Sequence, residues 1–258
     1  MLERLAPVSS LDQIWAPQLR GAQILFTTRH GGVSIGEKAS LNLARHVDDD
    51  PESVERNRVI VAERIGVPLV FVDQVHSADV HVLPHTGPIP LVTADAMVTD
   101  RDDVALAIMV ADCLPVLLAD ADAGVIAAAH AGRRGLLDGV LRATIEAMRS
   151  LGARTDRMGA VIGPSICGAC YEVPAAMREE SALILPMVRA ETRWGSPSLD
   201  LRAGALEDLV RAGMGPERIE AAPPCTLEDP AYFSHRRSHA AGRFAGVIRR
   251  ADTRPTRR

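Results

Sequence analysis

Three side chains with reactive chemistry recur in one kind of setting in this sequence. His76 closes Asp73-Gln74-Val75-His76 after an apolar run, Cys113 sits in Val110-Ala111-Asp112-Cys113-Leu114-Pro115, and His130 follows Ala127-Ala128-Ala129 and precedes Ala131-Gly132. A metal-capable residue that ends a buried strand beside a glycine or proline turn lies at the rim of a sheet, where open α/β proteins build their sites. Three such rims in one chain point to a single shared site. Two imidazoles and a thiolate suit zinc, and three protein ligands leave a fourth position for water or substrate, as in a catalytic centre. Zinc there keeps Cys113 as thiolate and lowers the pKa of its water toward about 7. Taken one at a time, each of the three reads more simply as a hydrogen-bonded core histidine or a packed cysteine.

Other clusters carry weaker signals. Cys167 and Cys170 have C-x-x-C spacing, which fits a redox pair or half of a zinc knuckle, but no second C-x-x-C follows and Cys225 stands alone. Two small buried residues at a strand end are the simpler reading of that pair. His235 and His239 are four apart without the glutamate of H-E-x-x-H, so with Arg236, Arg237 and Arg243 they read as a solvated or substrate-facing basic segment. His81 and His85 flank a turn before Gly87-Pro88 and are expected at the surface. Two glycine turns could hold an anion. Thr27-Thr28-Arg29-His30-Gly31-Gly32 offers backbone N–H groups and the Arg29 guanidinium, and His130-Ala131-Gly132-Arg133-Arg134-Gly135 offers Arg133 at the start of a helix. No G-x-S-x-G, phosphate-binding P-loop or dinucleotide fingerprint occurs.

The elements that must position these residues can be traced by periodicity. Apolar, β-branched runs bounded by turn residues predict strands at Gln23–Thr28, Leu69–Val75, Val104–Val110, Leu114–Ala119, Val125–Ala129 and Met158–Ile162. Asp50-Pro51 predicts an N-cap and first helical residue of a helix that stops before Gly66-Val67-Pro68. A one-sided stripe from Leu136 through Met148 predicts a second helix, and a third spans about Leu199 to Met214, burying Leu206, Leu209 and Val210. Strands and helices mix without strict alternation, so the expected class is an α/β single domain with mixed β-sheets flanked by helices, over residues 1–258.

The chain of 258 residues is 47% apolar, enough for a sizeable core, and its net charge of −4 supplies no general attraction to nucleic acid or an acidic membrane. No stretch reaches the roughly 18 apolar residues of a membrane span, and the first residues lack a basic-then-apolar leader, so a cytoplasmic location is expected. The basic, proline-broken end Ala251-Asp252-Thr253-Arg254-Pro255-Thr256-Arg257-Arg258 reads as a frayed tail.

Taken in order, TTRHGGVSIGEKASLN (27–42), DQVH (73–76), ADAMVT (94–99), ADCLPVL (111–117), AHAGRRG (129–135), GPSICGACYEV (163–173) and the FSHRR and GRFAGV pieces within 225–247 resemble the YfiH-type laccase-domain family, also called multicopper polyphenol oxidase-like. The match runs over nearly the whole chain. The resemblance implies a YfiH-like α-β-β-α sandwich, metal-binding or catalytic roles for His76, Cys113 and His130, and phosphorolysis of adenosine, inosine and 5′-methylthioadenosine, with adenosine deamination as a further activity. Purine nucleosides and phosphate would be the partners, with Arg29, Asn42 and Arg133 contacting substrate, zinc as the metal, and a monomer or small homo-oligomer as the assembly. The chain departs from the family at Ser165 and Ala169, in a run where cysteines are usual, and at His235 and Ser238-His239-Ala240. Copper oxidase chemistry, implied by the family's older name, is disfavoured because a trinuclear copper cluster needs many histidines in H-x-H pairs, and the eight here form none. A cysteine or zinc hydrolase acting on cell-wall peptides, in the first case through Cys113 and His130, is the competing enzyme class, and a non-enzymatic binding module the third.

Overall fold

Strands that are apolar along their whole length need both faces of their sheet covered, and the chain meets that requirement by stacking two sheets and placing helices outside them. The structure is a computed structural model that describes residues 17–222 and 224–251. The first sixteen residues and the tail from Asp252, to which the expectations about a leader and a frayed end apply, lie outside the described residues.

In chain order the strands are β1 (Ala22–Phe26), β2 (Leu69–Val70), β3 (Val80–Val82), β4 (Ala96–Thr99), β5 (Ala105–Val110), β6 (Leu114–Asp120), β7 (Val125–Ala131), β8 (Gly159–Ile162), β9 (Arg189–Glu191), β10 (Pro197–Leu199), β11 (Ile219–Ala221) and β12 (Phe244–Arg250). The α-helices are α1 (Pro51–Ile65), α2 (Arg133–Asp138), α3 (Val140–Ser150), α4 (Ala175–Ile184) and α5 (Leu201–Arg211). One sheet has the order β1-β12-β5-β2, the other β11-β8-β6-β7-β4-β3, and β9 and β10 form a separate hairpin. Both sheets are mixed: β2–β5, β3–β4 and β8–β11 pair in parallel, the other neighbours antiparallel.

The two-residue side-chain period sorts each strand between layers. Leu117, Ala119, Ile126 and Ala128 of the six-stranded sheet meet Ile24, Phe26, Leu106, Ile108 and Ile248 of the four-stranded sheet. Val116, Leu118, Ala127 and Ala129 face the other way, onto Leu136, Leu141, Ile145, Met148 and Leu209 of the helices. On the opposite side Val61 and Ile65 of α1 cover Leu25, Ala105, Ala107 and Val247. The result is a mixed α/β domain in four layers, helix, sheet, sheet, helix. By the same period His130 lies on the side of Ile126 and Ala128, at the end of the core between the sheets. No described helix is long and apolar enough to cross a membrane.

Helix α1 starts and stops where its sequence signals lie: Asp50 Oδ2 accepts the Ser53 N–H at 2.9 Å, and Gly66 adopts φ 86° at the end. Several expectations need correction. The run Leu69–Val75 pairs only at Leu69–Val70, because Asp73 swings over to Val92 and Ala94, and the Gln74 amide substitutes for a strand by bonding the Met109 C=O and N–H at 2.8 and 2.9 Å. The helix from Leu136 is two, broken at Gly139 with φ 96°. In α5 Leu209 is buried, but Leu206 and Val210 are each 40% exposed. Cys113 occupies the turn from β5 to β6, a crossing between the two sheets, and His130 lies inside β7.

Leu117 is fully buried between the sheets, so Leu117→Ala is expected to cost about 2–5 kcal/mol of stability. A lowered denaturant midpoint at unchanged slope checks this.

Candidate active site

Strand register brings the first pair of residues together. Ala96 of β4 pairs with Ala129 of β7, which sets Asp95 beside His130; the His130 N–H bonds the Asp95 carbonyl at 2.7 Å and His130 Nδ1 donates to Asp95 Oδ1 at 2.7 Å. Asp95 has no exposed surface and His130 is 3% exposed. A buried carboxylate is tolerated only when well supplied with donors, and Asp95 takes three more: the N–H groups of Val75, His76 and Ser77, at 3.1, 2.9 and 2.6 Å. That N–H cradle curls the chain so that His76 sits at φ 63°, in the left-handed region, and turns its ring edge-on to His130 with centroids 4.6 Å apart. Burial works against ionisation of Asp95, but His130 and the Ser77 N–H outweigh it and hold the carboxyl well below the usual range.

Cys113 arrives on the β5–β6 turn. Asp112 has φ 97° there, and its carboxylate accepts from Thr226 Oγ1 at 2.6 Å and from the Arg236 N–H at 2.7 Å, which anchors the turn to the segments at 226 and 236. Cys113 Sγ then lies 3.7 Å from His76 Nε2, and one ligand atom from each of His76, Cys113 and His130 falls within 4.8 Å of the others. Gly132 makes room for this, since a Cβ at that position would stand 2.6 Å from His76 Cδ2 and 3.2 Å from Cys113 Sγ. Burial alone raises the Cys113 thiol, yet the His130 charge and hydrogen bonds from both histidines bring it down. Burial likewise disfavours a protonated His130, and the Cys113 thiolate and Asp95 carry it up. Without metal the pair therefore reads as thiolate and imidazolium.

The donor set fits a metal. The bond to Asp95 commits His130 Nδ1 and leaves Nε2 as the ligand atom, the carboxylate-to-histidine support that metal-binding imidazoles usually have. His76 is exposed, so one side of the group faces the cavity.

Two chambers meet at this group. One, of about 220 Å³, is lined by Asp112, Ile166, Tyr171, Leu201, His235 and Arg236 as well as His76 and Cys113. The other, of about 270 Å³, adds His46, Gln74, Met109, His130 and Arg243. Two wider depressions elsewhere, of about 960 Å³ between Pro17–Leu25 and Arg64 and of about 750 Å³ around Glu146–Asp156, contain no cysteine or histidine.

The structure thus gathers His76, Cys113 and His130. Arg133 is half-buried, and its charge acts on the half-buried Tyr171 hydroxyl. Two expected contacts lie elsewhere. Asn42 is wholly buried and its amide is used up on Ala44, Asp49 and the Arg243 N–H, so it positions Arg243 from behind. Arg29 donates to the Ala39 carbonyl at 2.7 Å, lies over Phe233 and lines neither chamber. The N–H groups of Arg29, His30 and Gly32 already bond within the protein, which removes the expected phosphate cradle. The second cradle, at the start of α2, has only a six-residue helix behind it. Sequence reasoning missed Asp95, Asp112, Tyr171 and Gln74 as site residues; Asp95 lay in the ADAMVT run but carried no pattern tying it to His130. His235 and Arg243 do face the cavity. His85 pairs with Asp100 at the surface, whereas His81 is half-buried in β3.

A family model described as multi-copper polyphenol oxidoreductase laccase matches residues 23–251. A protein of Streptomyces coelicolor named purine nucleoside phosphorylase is 47% identical, covering 89% of this chain and 96% of its own length. One of Corynebacterium glutamicum with the same name is 45% identical, over 93% and 98%. Among solved structures, a Neisseria meningitidis protein of the DUF152 family superposes with TM-score 0.84 at 39% identity, over 93% of this chain and 99% of that one. YlmD of Geobacillus stearothermophilus gives TM-score 0.84 at 32% identity, over 92% and 94%.

Asp95→Asn is expected to weaken metal binding about 10–100-fold through the loss of charge behind His130, measured by chelator competition. In metal-stripped protein the ultraviolet absorbance of the Cys113 thiolate should persist well below the pH of an ordinary thiol. His130→Gln removes the stabilising cation, so the midpoint should move up.

Proposed function

This chain belongs to the multi-copper polyphenol oxidoreductase laccase family, and we propose that it is a purine nucleoside phosphorylase acting on adenosine, inosine and 5′-methylthioadenosine. The products are the free base and ribose 1-phosphate or its methylthio counterpart. The observation that carries the reading is the junction of two chambers at His76 and Cys113, with an apolar and aromatic wall on one side and arginines on both. The relatives named for this activity align with nearly the full chain, which supports it further.

In phosphorolysis a phosphate oxygen bonds to the ribose C1′ while the C1′–N9 bond breaks, its electron pair leaving with the purine, which takes up a proton. Ile166, Tyr171 and Leu201 supply the face against which a purine or ribose packs. Arg236 lies over the Tyr171 ring and Arg243 opens on the second chamber. They are the arginines that line the chambers and would hold phosphate at C1′; Arg133 and Arg29 line neither chamber. His235, a cavity histidine outside the His76–Cys113–His130 group, is placed to hand the purine its proton. Burial and the nearby Arg243 lower its pKa, so its protonated form is the stronger acid but the minor one near neutral pH, and the rate should rise as pH falls toward that pKa. Fixing two reactants and their charges in one cavity supplies much of such a rate enhancement.

His76, Cys113 and His130 would hold zinc, a Lewis acid able to polarise an oxygen brought against it. Adenosine deamination, in which water replaces the C6 amino group, belongs to the same proposal; the chain's part is to seat C6 against the histidines and to protonate the departing ammonia. For copper oxidase chemistry the described residues offer one His/Cys group and no array of paired histidines.

A second reading has an observation of its own: Cys113, His130 and Asp95 line up as thiolate, imidazolium and carboxylate, the relay of a cysteine hydrolase. Iodoacetamide separates the two. Cys113 that alkylates fast in protein as purified, zinc present, is a free nucleophile; protection that ends on chelation marks a metal ligand.

Purified protein is expected to release hypoxanthine from inosine and adenine from adenosine only with phosphate present, and Cys113→Ala to lose about 100-fold or more of that rate. Phosphate-independent release, or full activity in Cys113→Ala, overturns the reading. His235→Ala should lower kcat by about 100-fold with little change in KM for phosphate, read from initial rates.

A further inference from the structure

A second group of metal-capable atoms lies beside the cavity. The sulfurs of Cys167, Cys170 and Cys225 and a carboxylate oxygen of Glu228 all fall within 4.8 Å of one another. Cys225 does not stand alone, as the sequence suggested: the fold brings it back to the C-x-x-C segment through a bridge between Ser165 and Cys225, and the Thr226 N–H bonds the Ser165 carbonyl at 3.1 Å. All three cysteines are free thiols.

The local geometry is that of a ligand turn. The N–H groups of Cys170 and Tyr171 both donate to the Cys167 carbonyl at 3.0 Å, which folds the C-x-x-C segment so that its two sulfurs share a side. The Cys167 N–H points at Cys225 Sγ, 3.4 Å away, which draws the two cysteines together. Cys170 and Cys225 are 2% and 7% exposed, Cys167 is half-buried and Glu228 exposed. Cations stand ready on two sides. Arg193 Nη2 lies 2.7 Å from Cys170 Sγ and 2.5 Å from Glu228 Oε1. Arg202, bonded to Ser165 Oγ at 2.7 Å, is close enough for Cys225 and Cys167 to act on its charge. Three thiolates and a carboxylate around a divalent ion leave two negative charges, and two guanidinium groups offset them.

We propose that Cys167, Cys170, Cys225 and Glu228 form a second metal site, a closed structural one for zinc or a similarly thiophilic divalent ion. Four protein ligands of this kind complete a tetrahedron and leave no position for substrate, unlike the three at His76, Cys113 and His130. At Zn–S bonds of about 2.3 Å the sulfurs stand roughly 3.8 Å apart, a contraction that the half-buried Cys167 and exposed Glu228 side chains can supply by rotating. The ion joins two segments that form one wall of the cavity. Ile166 and Tyr171, flanking the C-x-x-C turn, line the smaller chamber. Thr226, next to Cys225, donates to Asp112, the neighbour of Cys113.

The test is metal analysis of full-length protein purified under reducing conditions. Cys113→Ala, which strips the first site of its thiolate, should retain one equivalent of zinc by native mass spectrometry, and its cobalt form should show sulfur-to-cobalt charge-transfer absorption. Adding Cys225→Ser should abolish both. Because that double variant could fail to fold, alkylation of the unmutated protein with peptide mapping gives a second readout: Cys167 should be protected with zinc bound and reactive after chelation. Cys113→Ala without metal, Cys167 alkylated equally in both states, or Cys167 recovered in a disulfide with Cys170 or Cys225 would overturn the proposal.

Discussion

The Asp95 carboxylate is shut off from water, so every bond it makes is obligatory, and it makes four. Three consecutive backbone N–H groups and an imidazole converge on it, and with the charge desolvated none can be dropped cheaply. The two halves of the site come from elements with no other reason to meet: a strand in the middle of a sheet, which carries His130, and a loop that leaves the other sheet after only two paired residues, which carries His76. The carboxylate holds both. It also fixes which nitrogen of His130 stays free, and with it the chemistry the ring can offer.

The rest of the site follows from where the two sheets end. The β5–β6 turn is the short crossing between them, so whatever occupies it stands at the mouth of the shared core. A left-handed Asp112 makes the crossing tight enough to aim Cys113 at the histidines. Its carboxylate repeats in miniature what Asp95 does, gathering a threonine hydroxyl from one segment and a backbone N–H from another. Behind the site lies a core without exposure, which resists displacement of its strands; in front lies a wall built from loops. The three-cysteine group belongs to that wall, and an ion there would stiffen the part of the site that packing alone stabilises least.

The two metal-capable groups differ in ways that suit different work. His76, Cys113 and His130 offer mixed donors with one exposed face on a cavity, while Cys167, Cys170, Cys225 and Glu228 offer mostly sulfur, with two buried cysteines and arginines alongside. Openness toward substrate separates a reactive centre from a clasp.

Periodicity in the sequence established the long buried strands, helix α1 with its Asp50 cap and Gly66 stop, and the mixed α/β class, because those depend on neighbours in the chain: side-chain alternation, capping and glycine conformation. Chemical type and setting along the chain also singled out His76, Cys113 and His130. What the sequence could not contain was partnership across distance. Asn42 looked like a polar contact until the fold buried it behind Arg243, and Arg29 until the fold gave it Ala39 and Phe233. Asp95 carried no signal because its role depends on the β4–β7 register and on a loop some twenty residues earlier, and Cys225 seemed isolated because its partners are 58 residues away. A buried charge or a thiol is defined by what surrounds it in space, and only the tertiary structure decides those surroundings.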